Sequence, residues 1–254
     1  TLGATGWTKE LVASSYFLDD FKFDHAGTAH MLLSAQWNDG TGFAYASRQS
    51  TGTWTLETIN PAGYGVFVAS LTFGADDRPY IAYGGPGGTH IATKSLGMWT
   101  DMILNGQGPD GLLTSLGHIQ LVASTDGRIH LAGLRSSPRE VVYGELTAPN
   151  TYQYERAYTH GSCSFITLAL DSVNEPHFAC NDGGAFVYAS RANGTWTSEI
   201  VEWGNGLWFS LAIDSHDNPH VAFCTQFAPV QDRKSVGEGK GAELGGRRTI
   251  KKKR

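Results

Sequence analysis

The chain repeats itself, and the repeat limits its fold more than any other feature. Five segments run from an apolar strand through a polar turn into a second apolar strand: 21–33, 71–83, 121–133, 168–180 and 211–223. The second strand opens on His30, Tyr80, His130, His177 and His220, spaced 50, 50, 47 and 43 residues apart. Six residues before them stand Asp24, Gly74, Ser124, Asp171 and Asp214. A second motif lies between these units. GFAYASRQSTGTWTLETI (42–59) and AFVYASRANGTWTSEIV (185–201) nearly superimpose, with looser copies at 89–104 and 141–156. GWTKELV (6–12) matches the second half of one more copy. The marker aromatics Trp7, Trp54, Trp99, Tyr152 and Trp196 are spaced 47, 45, 53 and 44 residues apart.

Each period therefore holds four short strands, in the last full repeat about 166–171, 177–180, 185–191 and 195–201. Asn193-Gly194 stands between the third and fourth, where a type I′ hairpin needs positive φ at both central residues. Asp-rich turns with Gly or Pro separate the first and second. Four antiparallel strands per repeat of this length predict an all-β chain folded as a β-propeller of about five four-stranded blades. Stacked blades cover the inner strands on both sides, which accounts for the apolar and small runs at 166–170 and 210–213. The pattern starts inside an outer strand and fades after Cys224, so a truncated ring is expected, with the propeller over residues 1–231. Strand 6–12 could join 209–224 to close a ring, but that blade would lack its third strand.

Composition supports the all-β reading. Charged residues are 17% of the 254, and glycine takes 32 positions. No stretch approaches the ~18 apolar residues of a membrane-spanning helix. Nine of the 19 basic residues and three of the 24 acidic ones fall in 232–254, so that tail is +6 and the rest of the chain −11. An acidic body argues against nucleic-acid binding, which needs clustered Lys and Arg. The tail has no aromatic residue or hydrophobic periodicity and reads as a disordered, non-native appendage. DRKSVGEGK and the closing IKKKR resemble translated adapter or vector sequence.

SLAIDSHDNPHVAF and YASRANGTWTSEIV resemble the repeats of secreted bacterial β-propellers of the BNR or sialidase-like superfamily, over about residues 6–224. The resemblance implies the propeller fold, export and a glycan-related activity. Ser124-Thr-Asp126-Gly and Ser215-His-Asp217-Asn are partial copies of the sialidase Asp-box, and no Arg-Ile-Pro segment occurs.

The recurring His30, His130, His177 and His220 are expected to bond a turn rather than bind a metal, and no metal site or cofactor is expected. Asp24, Asp171 and Asp214 read as turn-capping carboxylates. Function is expected in the irregular loops held by the rigid repeats. These carry aromatic rings beside amides and carboxylates, a combination suited to sugars: rings stack on a pyranose and polar groups bond its hydroxyls. The candidate ligand-binding residues are Trp37, Asp39, Tyr64, Asp182, Trp203 and Trp208. A cleaving enzyme needs paired carboxylates, for which Asp19, Asp20, Asp39, Asp182 and Glu202 are candidates, or proton-transfer groups such as Tyr64 and His160. Cys163 precedes a first strand and Cys180 ends its hairpin partner, so a Cys163–Cys180 disulfide is expected in an exported protein; Cys224 is left free.

The expected function is non-catalytic binding of a carbohydrate or glycoconjugate. A sialidase-like or polysaccharide-lyase-like enzyme and a protein-interaction scaffold are the alternatives. The expected place is outside the cell or on its surface.

Overall fold

A computed structural model describes residues 2–3, 6–7, 9–14, 16–35, 43–60, 69–85, 87–113, 115–161, 163–204, 206 and 208–224. Every regular element in it is a strand. Blade 1 comprises β3 (Tyr16–Phe23), β4 (Ala29–Ala35), β5 (Phe43–Arg48) and β6 (Trp54–Asn60), after a short pair, β1 (Leu2–Gly3) with β2 (Gly6–Trp7). Blade 2 comprises β7 (Ala69–Phe73), β8 (Pro79–Gly85), β9 (Gly88–Ser95) and β10 (Met98–Ile103). An inserted hairpin follows, β11 (Asn105–Gly108) and β12 (Gly111–Leu113). Blade 3 comprises β13 (Ile119–Ala123), β14 (Ile129–Ser136), β15 (Arg139–Ala148) and β16 (Thr151–Tyr158). Blade 4 comprises β17 (Cys163–Leu170), β18 (Pro176–Asp182), β19 (Ala185–Ala192) and β20 (Thr195–Trp203). A two-stranded sheet, β21 (Trp208–Ile213) with β22 (Pro219–Cys224), occupies the fifth position.

The chain is thus an all-β propeller. Each blade is an antiparallel meander in chain order, and first strands touch in the sequence β3, β7, β13, β17, β21. Four blades are four-stranded, and the fifth is two-stranded among the described residues. Residues 6–12 do not join it. Among the described residues their one strand, Gly6–Trp7, pairs with Leu2–Gly3, while residues 9–13 run without strand structure and Val12 and Ala13 pack on blade 1. The Gly-rich stretch 105–117, read as a loop, instead adds β11 in parallel to the outer strand β16, so the third sheet has six strands. Glycine permits this: a side chain on Gly106 or Gly108 would collide with the ring of Tyr152 or Tyr154.

The core lies between blades. Leu32, Phe43, Leu71 and Ile81 fill the first seam, Ile91, Leu121 and Leu131 the second, Val141, Phe178 and Val187 the third, and Tyr188, Leu211 and Val221 the fourth. Blades 2, 3 and 4 therefore bury both faces, as stacked blades require. The hairpin Asn193-Gly194 has φ of 50° and 76°, the left-handed pair that a type I′ turn demands.

The recurring residues brace each blade from within. His30 Nε2 lies 3.1 Å from Asp24 and its Nδ1 2.6 Å from the Tyr45 hydroxyl. His177 meets Tyr188 in the same way at 2.6 Å, and His220 meets Asp214 at 3.0 Å. Each histidine thus ties the turn after its first strand or the tyrosine of its third. A second device latches neighbouring blades. Trp99 Nε1 and Lys94 Nζ of blade 2 donate to Glu57 of blade 1 at 2.9 and 2.6 Å. Trp196 and Arg191 of blade 4 bind Glu155 of blade 3 at 2.9 and 2.7 Å. Trp54 and Arg48 of blade 1 bind Glu10 at 3.2 and 2.9 Å.

Candidate functional site

First strands begin, and second strands end, on one face of the ring. Two of the first strands are bulged there. β3 slips register between Leu18 and Asp20, and β17 between Ser164 and Ile166. A bulge leaves one residue outside the ladder and re-aims its side chain. In β17 that residue is Phe165, held at φ 60°; in β3 it is Asp19. Asp20, next to it, has a structural partner: its Oδ2 accepts the Leu71 N–H of blade 2 at 2.8 Å.

Asp19 is the most perturbed carboxyl of this face. Its Oδ2 is buried without a hydrogen-bond partner. Burial pushes its pKa up to about 6, against the opposing pull of hydrogen bonds from Ser34, and the Asp20 charge adds to the rise. Such a carboxyl is protonated in mild acid and can donate that proton.

Across the third seam, His118 Nδ1 accepts the Ile166 N–H at 3.2 Å, and its ring meets Phe165 edge-on at 5.4 Å. An imidazole that accepts at Nδ1 carries its proton on Nε2. Burial pulls the His118 pKa down to about 4, so the ring stays a neutral donor. Phe17, Leu18 and Phe165 are exposed at the same ends of β3 and β17.

The remaining predicted residues divide. Trp37, Asp39 and Tyr64 lie outside the described residues, as do the side chain of Trp208, which opens β21, and the tail 232–254. Asp182 ends β18, and its Oδ2 accepts the Tyr158 hydroxyl at 2.7 Å. Burial, with help from Asp182, pushes the Tyr158 pKa up to about 12. Trp203 ends β20 and is 70% exposed. Both stand at the same end of blade 4, but on its second and fourth strands, about 10 Å apart at ~4.8 Å per strand. Cys163 and Cys180 form a disulfide that ties the start of β17 to β18. Cys224 is exposed and free of disulfide.

Two polar clusters escaped the sequence reading. In blade 2 the Tyr83 hydroxyl donates to Asp101 at 2.6 Å, and His90 Nδ1 lies 3.2 Å from the same carboxylate. In blade 3 the turn of the inserted hairpin brings Asp110 to Arg135 and Arg156, while Arg135 also binds buried Glu140 at 2.8 Å. The two guanidinium groups hold the Asp110 carboxyl below its usual range. Neither cluster repeats between blades, so periodicity gives no sign of them. Among the described residues no group of three or more His, Cys, Asp or Glu could hold a metal ion, and no helix is long and apolar enough to cross a membrane.

No protein-family model matches the sequence, and no curated protein matches it. Solved structures do match in shape. A protein of unknown function from Dyadobacter fermentans superposes with TM-score 0.63 at 13% identity, over 85% of this chain and 78% of that one. A family GH43 β-1,3-galactosidase with galactodeoxynojirimycin gives TM-score 0.56 at 9% identity, over 80% and 84%. A thermostable family-43 glycoside hydrolase gives TM-score 0.52 at 11% identity, over 86% of each chain. The shared property is the propeller fold. Activity must be argued from the site.

Proposed function

We propose that this propeller cleaves a glycosidic bond on the bulged face of its ring, with Asp19 as the proton donor. The observation that carries the reading is Asp19 itself: a carboxyl displaced from its ladder, buried at one oxygen and pushed up to about 6. A purely structural carboxylate is expected to be paired, as Asp20 and Asp24 are. Neutral His118 adds an N–H donor suited to a sugar hydroxyl, and exposed Phe17 and Phe165 add ring faces. Two of the similar folds belong to glycoside hydrolases, which agrees with this chemistry by analogy. The second carboxylate that hydrolysis requires is assigned to Asp39 or Asp182. The disulfide fits an exported protein.

Turnover of a panel of aryl glycosides and plant and microbial oligosaccharides at pH 5–6 tests the proposal. Asp19→Asn is expected to lower the rate by about 10²-fold or more. Wild-type rate should fall about tenfold per pH unit above the Asp19 pKa. A folded wild type that turns over none of the panel, or an Asp19→Asn variant with full activity, overturns it. The second reading is glycan binding without cleavage, favoured by the exposed Trp203 ring. It predicts signals on a glycan array that Trp203→Ala removes while no substrate is consumed. Silence in both assays leaves the interaction scaffold.

A further inference from the structure

A blade–blade seam in this protein has a repeating composition. Blade 2 turns Ser70, Thr72 and Ala82 toward blade 3, where Ser70 and Ala82 are 0% exposed. Blade 3 answers with Leu121 and Leu131, and the Leu121 N–H donates to Ser70 Oγ at 2.9 Å. One seam earlier, Leu71, Phe73 and Ile81 of blade 2 pack against blade 1, and Asp20 takes the Ser70 role.

Both halves of one such seam stand open. β21 and β22 bury Leu211 and Val221 against blade 4, while Ser210, Ala212 and Ala222 on their other face are exposed. By repeat position these three are the counterparts of Ser70, Thr72 and Ala82. Blade 1 exposes Phe21 and Phe23, by 40% and 61%, at the positions of Leu71 and Phe73. Half-buried Met31 stands at the position of Ile81. With Glu10, Arg48 and Trp54 these three line an open cavity of about 810 Å³.

We propose that the β21–β22 hairpin of the same chain seats on this face of blade 1 and closes the ring. The occupant follows from four observations. Ser210 supplies the hydroxyl that would accept the Phe21 N–H, which the Asp20 carboxylate holds at 2.8 Å in the open ring. Gly27 has open space where a Cβ would point, and the matching position, Gly127, is filled from blade 2 by the small residue Ala75. Ser215, at the Ala75 position, is the small residue that fits there. Glu10 already holds Trp54 and Arg48 as Glu57 holds Trp99 and Lys94, so the outer end of this seam is in place. By repeat position Glu10 belongs to a fourth strand, whereas β21 and β22 are first and second strands. The two segments are different parts of one blade. Closure places a fifth first strand, β21, beside β3, the strand that carries Asp19.

The test places charge on each open half. In the open ring Ala222→Arg and Phe23→Lys put a charge into water and leave Tm unchanged. In the closed ring each buries that charge in the seam, and Tm falls by about 4 °C or more. Ala192→Arg, at an exposed position on β19, serves as the unchanged control. Light scattering on the wild type is expected to show a monomer. A wild-type dimer that Ala222→Arg converts to a monomer assigns the hairpin of a second copy to this face and overturns the proposal. A monomer in which both substitutions are silent overturns it too. Hydrogen exchange on the unaltered protein bypasses any folding defect: closure protects the Phe21 amide as strongly as those of Leu71 and Leu121, and fast exchange at Phe21 alone refutes it.

Discussion

Replacing Asp19 with asparagine separates the carboxyl's charge from its shape. Asparagine keeps an oxygen that accepts from Ser34 and places an uncharged NH₂ where the buried Oδ2 lies. The folded-state pKa of about 6 stands above the ordinary 3.8. For a carboxyl the raised value means that folding favours the protonated form. Its contribution is fully present below about pH 4 and is lost as pH rises through about 6. Above that range the ionised group costs about 3 kcal/mol at most, from 1.36 kcal/mol for each tenfold change in the proton equilibrium; the partial exposure of the side chain reduces it. Asp19→Asn should therefore match the wild type at pH 4 and exceed it at pH 8 by about 2–3 kcal/mol. For a chain of this size that is a rise of roughly 4–10 °C in Tm. Urea unfolding of both proteins at pH 4, 5, 6, 7 and 8 reads the difference directly. Because every other ionisable group is common to both proteins, only the change at position 19 survives the subtraction. A gap that is the same at pH 4 and pH 8, or a wild type that gains on the variant as pH rises, refutes the reasoning.

The other predictions use the same logic on neighbouring features. Glu57→Ala strands the Lys94 ammonium and the Trp99 N–H, and should cost about 1–2 kcal/mol in urea unfolding. Double replacement of Cys163 and Cys180 by serine opens a loop with a sequence separation of 17, and should lower stability by about 2–4 kcal/mol with the sheet spectrum retained. His118, pulled down to about 4 by burial, should stay neutral with its proton on Nε2 in ¹⁵N spectra at pH 5.5. As a depressed histidine it contributes stability above about pH 6.5 that is lost as pH falls through 4. A midpoint near 6.5 for His118 would show that it is not buried as described.

Repetition made the fold legible, because a residue that serves the blade must recur in every blade. The His and Asp positions, the Asn193-Gly194 turn and the four-strand period could all be read from spacing. One recurring signal acts between repeats: a glutamate follows the marker aromatic by three residues at Glu10, Glu57, Glu155 and Glu199. Its partners stand on the next blade, at Arg48, Lys94 and Arg191, and a contact between repeats leaves no trace within one repeat. The site was legible only as a face. Asp19 earned its environment from a one-residue register slip in β3, and Asp110 from an inserted hairpin. Both are departures from the period: composition could name Asp19 only as one of five acidic candidates, and nothing in the repeat singled it out or pointed to Asp110. Aromatic and acidic composition pointed to loops, whereas the perturbed carboxyl lies in a strand.

The second seam shows why the latch is inherited or lost as a unit. There the three latch positions are Met102, Leu146 and Tyr152, with neither the glutamate nor the cation. Replacing the glutamate alone would leave a lysine or arginine and an indole N–H without their acceptor, and replacing the cation alone would leave a half-buried carboxylate. Changing all three to apolar or aromatic groups leaves no charge stranded, and only the Tyr152 hydroxyl, buried without a partner, remains unmatched. The same change removes the polar rim that would meet an added strand. β11 then lies along β16, with Gly106 against the Tyr152 ring and buried Leu104 and Leu113 in the seam. Apolar packing takes over where the ion pair was given up, and it is this hairpin whose turn carries Asp110 to Arg135 and Arg156. Restoring only a glutamate at Met102 should therefore destabilise the protein, because the carboxylate would enter a seam that offers it the Tyr152 hydroxyl at most and no cation to balance its charge.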